Sequence, residues 1–309
     1  MEIYLPIAEL PVNVLLVMAI GAAVGFVSGM FGVGGGFLMT PFLIFIGVPP
    51  AVAVATGAAQ IAASSTTGAL NYFRKRALDL RLGLVLVVAG LVGTLLGVLF
   101  FNAMKRLGQL DLVISLSYTL LLGWIGVMML VESVRSMMRE GRGGAGGALG
   151  VKGPKPWFLG LPLRIRFHRS GMYASVLPFA AVALLISFAG AVLGIGGGFL
   201  LVPALIYLFR VPTAVVVGTS LFQILFTMIA ATLLHAVTNQ SVDLILALIL
   251  IIGGVIGAPL GARAGRNLKA ETFRLMLALL ILAVAMRFGL ELLIPPDDPY
   301  TISIQGIQP

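Results

Sequence analysis

Thr56 and Gln60 stand one helical turn apart in an uncharged stretch, and Thr219 and Gln223 repeat the pair. On a helix each threonine shares a face with its glutamine. Ser64, Ser65, Thr66 and Thr67 continue the polar run in the first segment, and Ser220 and Thr227 in the second. Hydroxyls and amide NH₂ groups can both donate to the oxygens of an anion. A glutamine in an apolar medium is costly unless its amide finds partners. Two glutamines at matching places read in one of two ways: a polar cavity shared by both segments, or interhelical hydrogen bonding for stability.

A doubled glycine run stands just before each pair. Gly32-Val33-Gly34-Gly35-Gly36-Phe37-Leu38 recurs as Gly194-Ile195-Gly196-Gly197-Gly198-Phe199-Leu200, and Pro41 and Pro203 follow at the same distance. The echo continues through Val48-Pro49 and Val211-Pro212, Leu78-Asp79 and Val242-Asp243, then Gly90, Gly93, Gly97 and Gly254, Gly257, Gly261. Glycine lets one helix stop and another start within a tight turn. The first N–H groups of the new helix lack intrahelical partners and, with the helix dipole, favour an anion. The competing reading is close helix packing, which small residues serve throughout membrane proteins. That packing reading is the one adopted for Gly90, Gly93, Gly97 and for Gly253, Gly257, Gly261. The candidate substrate-binding residues are therefore Gly34, Gly35, Gly36 and Phe37 with Thr56 and Gln60, and Gly196, Gly197, Gly198 and Phe199 with Thr219, Ser220 and Gln223.

The elements that would position these residues are membrane helices. The chain is 60% hydrophobic and only 10% charged, with a mean hydropathy of +1.11, whereas a soluble domain carries about 25% charged residues. No charge occurs from residue 10 to residue 73. The predicted segments are 11–30, 36–47, 51–73, 83–101 and 111–131, then 173–193, 198–209, 213–236, 243–261 and 271–293. The segments 36–47 and 198–209 are too short to cross about 30 Å of hydrocarbon. Each is expected to form a re-entrant or broken element with its glycine run. The expected fold class is all-α: a polytopic integral membrane protein of two inverted repeats, each with a glycine-broken helix pair plus three transmembrane helices. The expected organisation is a first repeat over 1–131, a basic Gly/Pro-containing linker over 132–172, a second repeat over 173–294 and a tail over 295–309.

Charge supports the inverted arrangement. With the C-terminus outside, 16 of the 20 Lys and Arg residues fall on the cytoplasmic side and Lys105 and Arg106 fall outside. Arg274 and Arg287 lie within the last helix. If each broken pair were one crossing, 12 basic residues would move outside, against the positive-inside rule. The net charge of +9 is thus that of basic cytoplasmic loops, and no nucleic-acid partner is expected. The first ten residues hold no Lys or Arg, unlike a signal peptide. Gly141, Gly143 and Gly146 match a dinucleotide fingerprint, but no strand precedes them and no helix follows. No Asp or Glu falls in mid-segment, there is no cysteine, and no HExxH, GxSxG or Walker motif occurs. Neither a catalytic residue, nor a metal site, nor a cofactor is expected. His235, near the outer end of its helix, reads as structural, and Arg287 is the deepest cation.

Two copies of G-x-G-G-G-F-L followed by proline, the Gly218-Thr219-Ser220-Leu221 stretch, and Gly257-Ala258-Pro259-Leu260-Gly261-Ala262-Arg263 together resemble the TauE/SafE family. That resemblance covers nearly the whole chain outside the linker and tail. It implies a membrane protein that moves sulfite or organosulfonates, with a small sulfur-containing oxyanion as substrate. The first half has Thr56-Gly57-Ala58 where the second has Thr219-Ser220-Leu221. The residues themselves support a small-anion transporter in a bacterial or archaeal cytoplasmic membrane, in contact with lipid and permitted to form a homo-oligomer. Two readings stand beside it: an anion channel, which would conduct without a closed intermediate, and a non-transporting scaffold or receptor, which no anion would stabilise.

Overall fold

The computed structural model describes residues 2–31, 36–75, 77–140, 164–167, 172–209, 211, 213–264 and 270–293. Helices dominate it. Six are long and apolar enough to cross a membrane, and the chain is an all-α, multi-pass membrane protein. Its contacts fall into two compact units, one of residues 1–110 with 146–269 and the other of 111–145 with 270–309.

The larger unit opens with a hairpin, β1 (Glu2–Leu5) and β2 (Leu10–Asn13), followed by α1 (Val14–Phe31), α2 (Gly36–Phe45), α3 (Pro50–Arg74) and α4 (Leu80–Arg106). A second hairpin, β3 (Arg164–Phe167) and β4 (Met172–Ser175), leads into α6 (Val176–Leu193) and α7 (Gly198–Pro203), then α8 (Thr213–Asn239) and α9 (Leu244–Ala264). Helix α5 (Leu110–Glu140) and helix α10 (Ala270–Leu293) belong to the smaller unit. The hairpins match strand for strand at the spacing of the glycine runs, although only Ile3 and Ile165 are identical between them. The second hairpin occupies part of the stretch read above as linker. Helix α5 continues to Glu140, beyond the predicted end at 131, because a helix leaving hydrocarbon can carry Glu132 and Arg135 into a polar medium.

Capping chemistry sets the helix starts. Pro50 opens α3 at a position where the missing N–H costs nothing. Asp79 Oδ1 accepts from the N–H groups of Arg81 and Leu82 at 3.2 and 3.3 Å. Asp243 Oδ1 accepts from Leu246 N–H at 3.0 Å, and its Oδ2 accepts from Ile7 N–H at 3.2 Å. Asp243 therefore caps α9 and ties down the first hairpin. Asp243→Ala leaves those donors unpaired in a buried place, at a cost of about 2 kcal/mol. Asp243→Asn keeps an oxygen acceptor and is expected to lose less. Thermal unfolding of the detergent-solubilised variants separates the two, and equal loss in both contradicts the capping role.

Packing within the larger unit is reciprocal. Asp79 N–H donates to Thr219 Oγ1 at 3.2 Å, and Asp243 N–H donates to Thr56 Oγ1 at 3.1 Å. Helix α1 runs parallel to α9, with Gly21, Gly25 and Gly29 facing Leu250, Gly254 and Ala258 in order. Helix α6 runs parallel to α4, with Leu184 and Phe188 facing Gly93 and Gly97. Helices α3 and α8 pack antiparallel, since Gly68 meets Leu221 while Ala58 and Ile61 cluster with Ile224, Met228 and Ala231. Phe37 and Phe199 stack on each other with ring centroids 4.4 Å apart.

Pro203 changes the second short element. It has no N–H to continue the α-helical ladder, and α7 gives way to a π-helical turn over Ala204–Leu208. The uniform segment predicted over 198–209 is thus split, while α2 carries Pro41 through an unbroken helix. In the smaller unit Tyr118 stacks on Phe288 at 5.1 Å, and Leu282 and Ile281 fill the space above Gly126. Arg287 pairs with Glu291 one turn on at 2.9 Å. Its charge is neutralised locally, with the side chain about half exposed.

Candidate functional site

The second glycine break is a turn only glycine makes easily. Gly194, Gly196 and Gly197 have φ of 68°, 70° and 71°, in the left-handed region. Gly194 closes α6 by donating to Gly190 O at 2.9 Å. Gly197 opens α7, its carbonyl accepting from Leu200 and Leu201 at 3.1 and 2.8 Å. Thr40 on α2 donates to Gly194 O at 3.3 Å, joining the first short helix to the second break. Residues 194–199 are buried. Ile61 and Ile224 stand over Gly196, and Ile186 stands over Gly197. Gly32, Val33, Gly34 and Gly35 lie outside the described residues. Gly36 is buried between Ile61 and the Ile195 carbonyl, so the start of α2 and the second break meet.

A cleft of about 470 Å³ lies beside this crossing, between α1, α3, α8 and α9. That size suits a small-molecule site. Its polar lining comes mainly from one stripe of α3: Gln60, Ser64, Thr67 and Asn71, with Ser65 and Tyr72 next to it. Ser28 of α1 faces them. Gln60 is only 4% exposed, whereas Asn71 lies open. Ser65 is buried and its Oγ has no hydrogen-bond partner. Among the described residues no acid lines the cleft. Exposed Arg74 and Lys75 follow Tyr72 at the end of α3, and exposed Arg263 follows Pro259 by one turn of α9. The cleft thus offers hydroxyl and amide groups in an uncharged passage whose helices end in cations. Hydroxyl and amide groups of this kind are able to hydrogen-bond the oxygens of a small anion, and cations at a passage mouth attract one.

The sequence-selected polar residues fall into three environments. Gln60 lines the cleft. The Thr56 and Thr219 hydroxyls accept the N–H groups of Asp243 and Asp79, and so join α3 to α9 and α8 to α4. Thr219 also donates to Val215 O at 2.8 Å. Gln223 is buried on the far side of the crossing, its Nε2 donating to Ser187 Oγ at 2.7 Å. Gln223 Oε1 and Ser220 Oγ are buried without a hydrogen-bond partner. Phe37 and Phe199 occupy each other's faces. Ser28, Asn71 and Tyr72 were not selected from sequence. The spacing of Gln60, Ser64, Thr67 and Asn71 was the available signal, a polar stripe of helical period in an apolar helix.

Comparison with known proteins agrees with this architecture. The family model described as "Sulfite exporter TauE/SafE" matches residues 17–288. The probable membrane transporter protein YunE of Bacillus subtilis (strain 168) is 25% identical, over 90% of this chain and 97% of its own length. A probable membrane transporter protein of Xylella fastidiosa (strain Temecula1) is 28% identical over 89% of this chain and 94% of its own. The Arabidopsis thaliana protein named sulfite exporter TauE/SafE family protein 3 is 26% identical over 37% of this chain and 26% of its own. No solved structure matches. A match across the span from α1 to α10, over helices able to cross a membrane, places this chain in the TauE/SafE family of membrane transporters.

Proposed function

We propose that the chain is a secondary transporter of a small sulfur oxyanion, sulfite or a sulfonate, built from two inverted repeats in a cytoplasmic membrane. The observation that carries this reading is the cleft: donors along its wall, no acid among its described lining residues, and cations on the helix ends beside it. Gln60, Ser64 and Ser65 would hold the anion's oxygens. The N–H groups of the breaks, Gly34, Gly35 and Gly36 with Gly196, Gly197 and Gly198, would receive it once Ile61 moves aside. The family name and the Arabidopsis relative's name both point to sulfite.

The antiparallel pairing of α3 and α8 supports inversion. Two equivalent helices packed antiparallel are exchanged by an axis perpendicular to them, and such an axis lies in the plane of a membrane that they cross. The paired Asp–Thr bonds fit the same exchange. With basic loops inside, the cleft faces the cytoplasm. A thermal-shift screen of purified protein against sulfite, sulfate, thiosulfate, taurine, sulfoacetate and acetate tests the substrate class. A ligand bound only by the folded state raises Tm by mass action. A shift with sulfur oxyanions and none with acetate is expected, and a flat response to every anion contradicts the proposal.

A further inference from the structure

The cleft has a counterpart on the other side of the crossing, and there the same positions are filled. Ser65 corresponds to Met228, Gly68 to Ala231 and Tyr72 to His235, at the spacing that relates Gln60 to Gln223. Ser28 and Gly29 correspond to Gly190 and Ala191, at the spacing of the glycine runs. The first members of these pairs all line the cleft. Each of the second members is buried. Met228, Ala231 and His235 are 0% exposed and Ala191 is 1% exposed. A Cβ built on Gly190 would lie 3.6 Å from Met228 Cε, so the methionine fills the gap between α8 and α6.

His235 does more than fill space. Its Nε2 lies 3.2 Å from the carbonyl oxygen of Ala191, in the last turn of α6 before the break. That nitrogen must carry the hydrogen, which leaves Nδ1 to accept from Asn239 Nδ2 at 3.1 Å. The ring stands edge-on to Phe101 of α4, with centroids 4.7 Å apart. Lys105 of α4 donates to Asn239 O at 3.4 Å and to Ser241 Oγ at 3.3 Å, closing the group from above. One side chain thus bonds α8 to the end of α6 and packs α8 against α4. On the cleft side Tyr72 and Gly29 stand in the same places with the cleft between them.

We infer that His235 is the latch that holds the outer half of the substrate passage shut while the inner half stands open, and that its release from Ala191 exchanges the two states. This rests on the transporter reading above and on the pairing of the two halves. It assigns His235 a positioning role through α6 and gives it no contact with the anion.

The absence of cysteine makes the test direct. Met228→Cys, buried behind His235, and Ser64→Cys, exposed in the cleft, report on the two sides. Each is combined with His235, His235→Ala or His235→Gln, and labelled with a membrane-impermeant maleimide in intact cells and in inside-out vesicles. With His235 present, Met228→Cys should resist labelling from the cell exterior, and Ser64→Cys should label in inside-out vesicles. His235→Ala should raise exterior labelling of Met228→Cys at least tenfold and slow that of Ser64→Cys in vesicles. His235→Gln keeps an N–H donor for Ala191 O and should restore the first pattern. A general loosening of the fold would speed both reporters, and that outcome overturns the latch, as does continued protection of Met228→Cys in His235→Ala. Labelling of Ser64→Cys from the cell exterior instead contradicts the proposed sidedness. The latch is then upheld or overturned by the same His235 effect read from the opposite membrane faces.

Discussion

Gly257→Val and Gly93→Val are expected to prevent recovery of folded protein, whereas Gly123→Ala is expected to be neutral or mildly stabilising. A Cβ at Gly257 would fall on the Ala22 carbonyl, 2.8 Å from its carbon and 2.9 Å from its Cα. A Cβ at Gly93 would meet the Leu184 backbone in the same way, at 2.9 and 3.0 Å. The obstacles are backbone atoms of a parallel neighbouring helix, and these cannot rotate aside as a side chain can. Overpacking of this kind costs about 1–3 kcal/mol even when the core can adjust. Here the shift must separate α1 from α9, or α6 from α4, along much of their length. The close approach is what these glycines supply, as in other membrane helix pairs joined through small residues. Nothing lies within 4 Å of a Cβ at Gly123, where alanine only gains helix propensity of up to about 1 kcal/mol. Size-exclusion profiles and melting curves of the three variants check this. A monodisperse, normally melting Gly257→Val would contradict the packing assignment.

Gln60→Leu is expected to leave the fold intact and to lower anion binding at least tenfold, a loss of about 1.4 kcal/mol. Gln60 lines the cleft and is 4% exposed, so leucine enters a largely apolar wall without stranding a partner. It removes an amide donor from the deepest part of the polar stripe. Gln223→Leu has a further consequence, since it takes away the donor that Ser187 Oγ accepts from at 2.7 Å. It should therefore lower stability by about 1 kcal/mol. Isothermal titration with sulfite, alongside melting curves without ligand, resolves the two effects. Unchanged affinity in a folded Gln60→Leu would remove Gln60 from the site.

Much of this architecture was legible in the chain because its repeat is punctuated by residues with backbone roles. The helix-starting Asp79 and Asp243 hold matching places in both halves, and the second glycine run turns the chain from α6 into α7. The hairpins were not legible. Their short strands share the identity of Ile3 and Ile165 only, because a two-stranded ribbon is held by backbone bonds that many sequences permit. The polar stripe of α3 could be read from spacing. What Thr56 does could not: its partner, the Asp243 N–H, is 187 positions away and becomes its neighbour only when α9 packs against α3. The different surroundings of Gln60 and Gln223 were hidden for a related reason. Their local sequences are alike, and what separates them is packing. A cleft lies beside Gln60, and Gln223 is bonded to Ser187 in the interior.

Uptake of radiolabelled sulfite into proteoliposomes carrying the purified protein bears most directly on the transporter assignment. Saturable flux above protein-free vesicles, competed by other sulfur oxyanions and at least tenfold weaker in folded Gln60→Leu, is the expected result. Flux that rises linearly with concentration and is indifferent to Gln60, or no flux of any sulfur oxyanion, would contradict an anion carrier that works through this cleft.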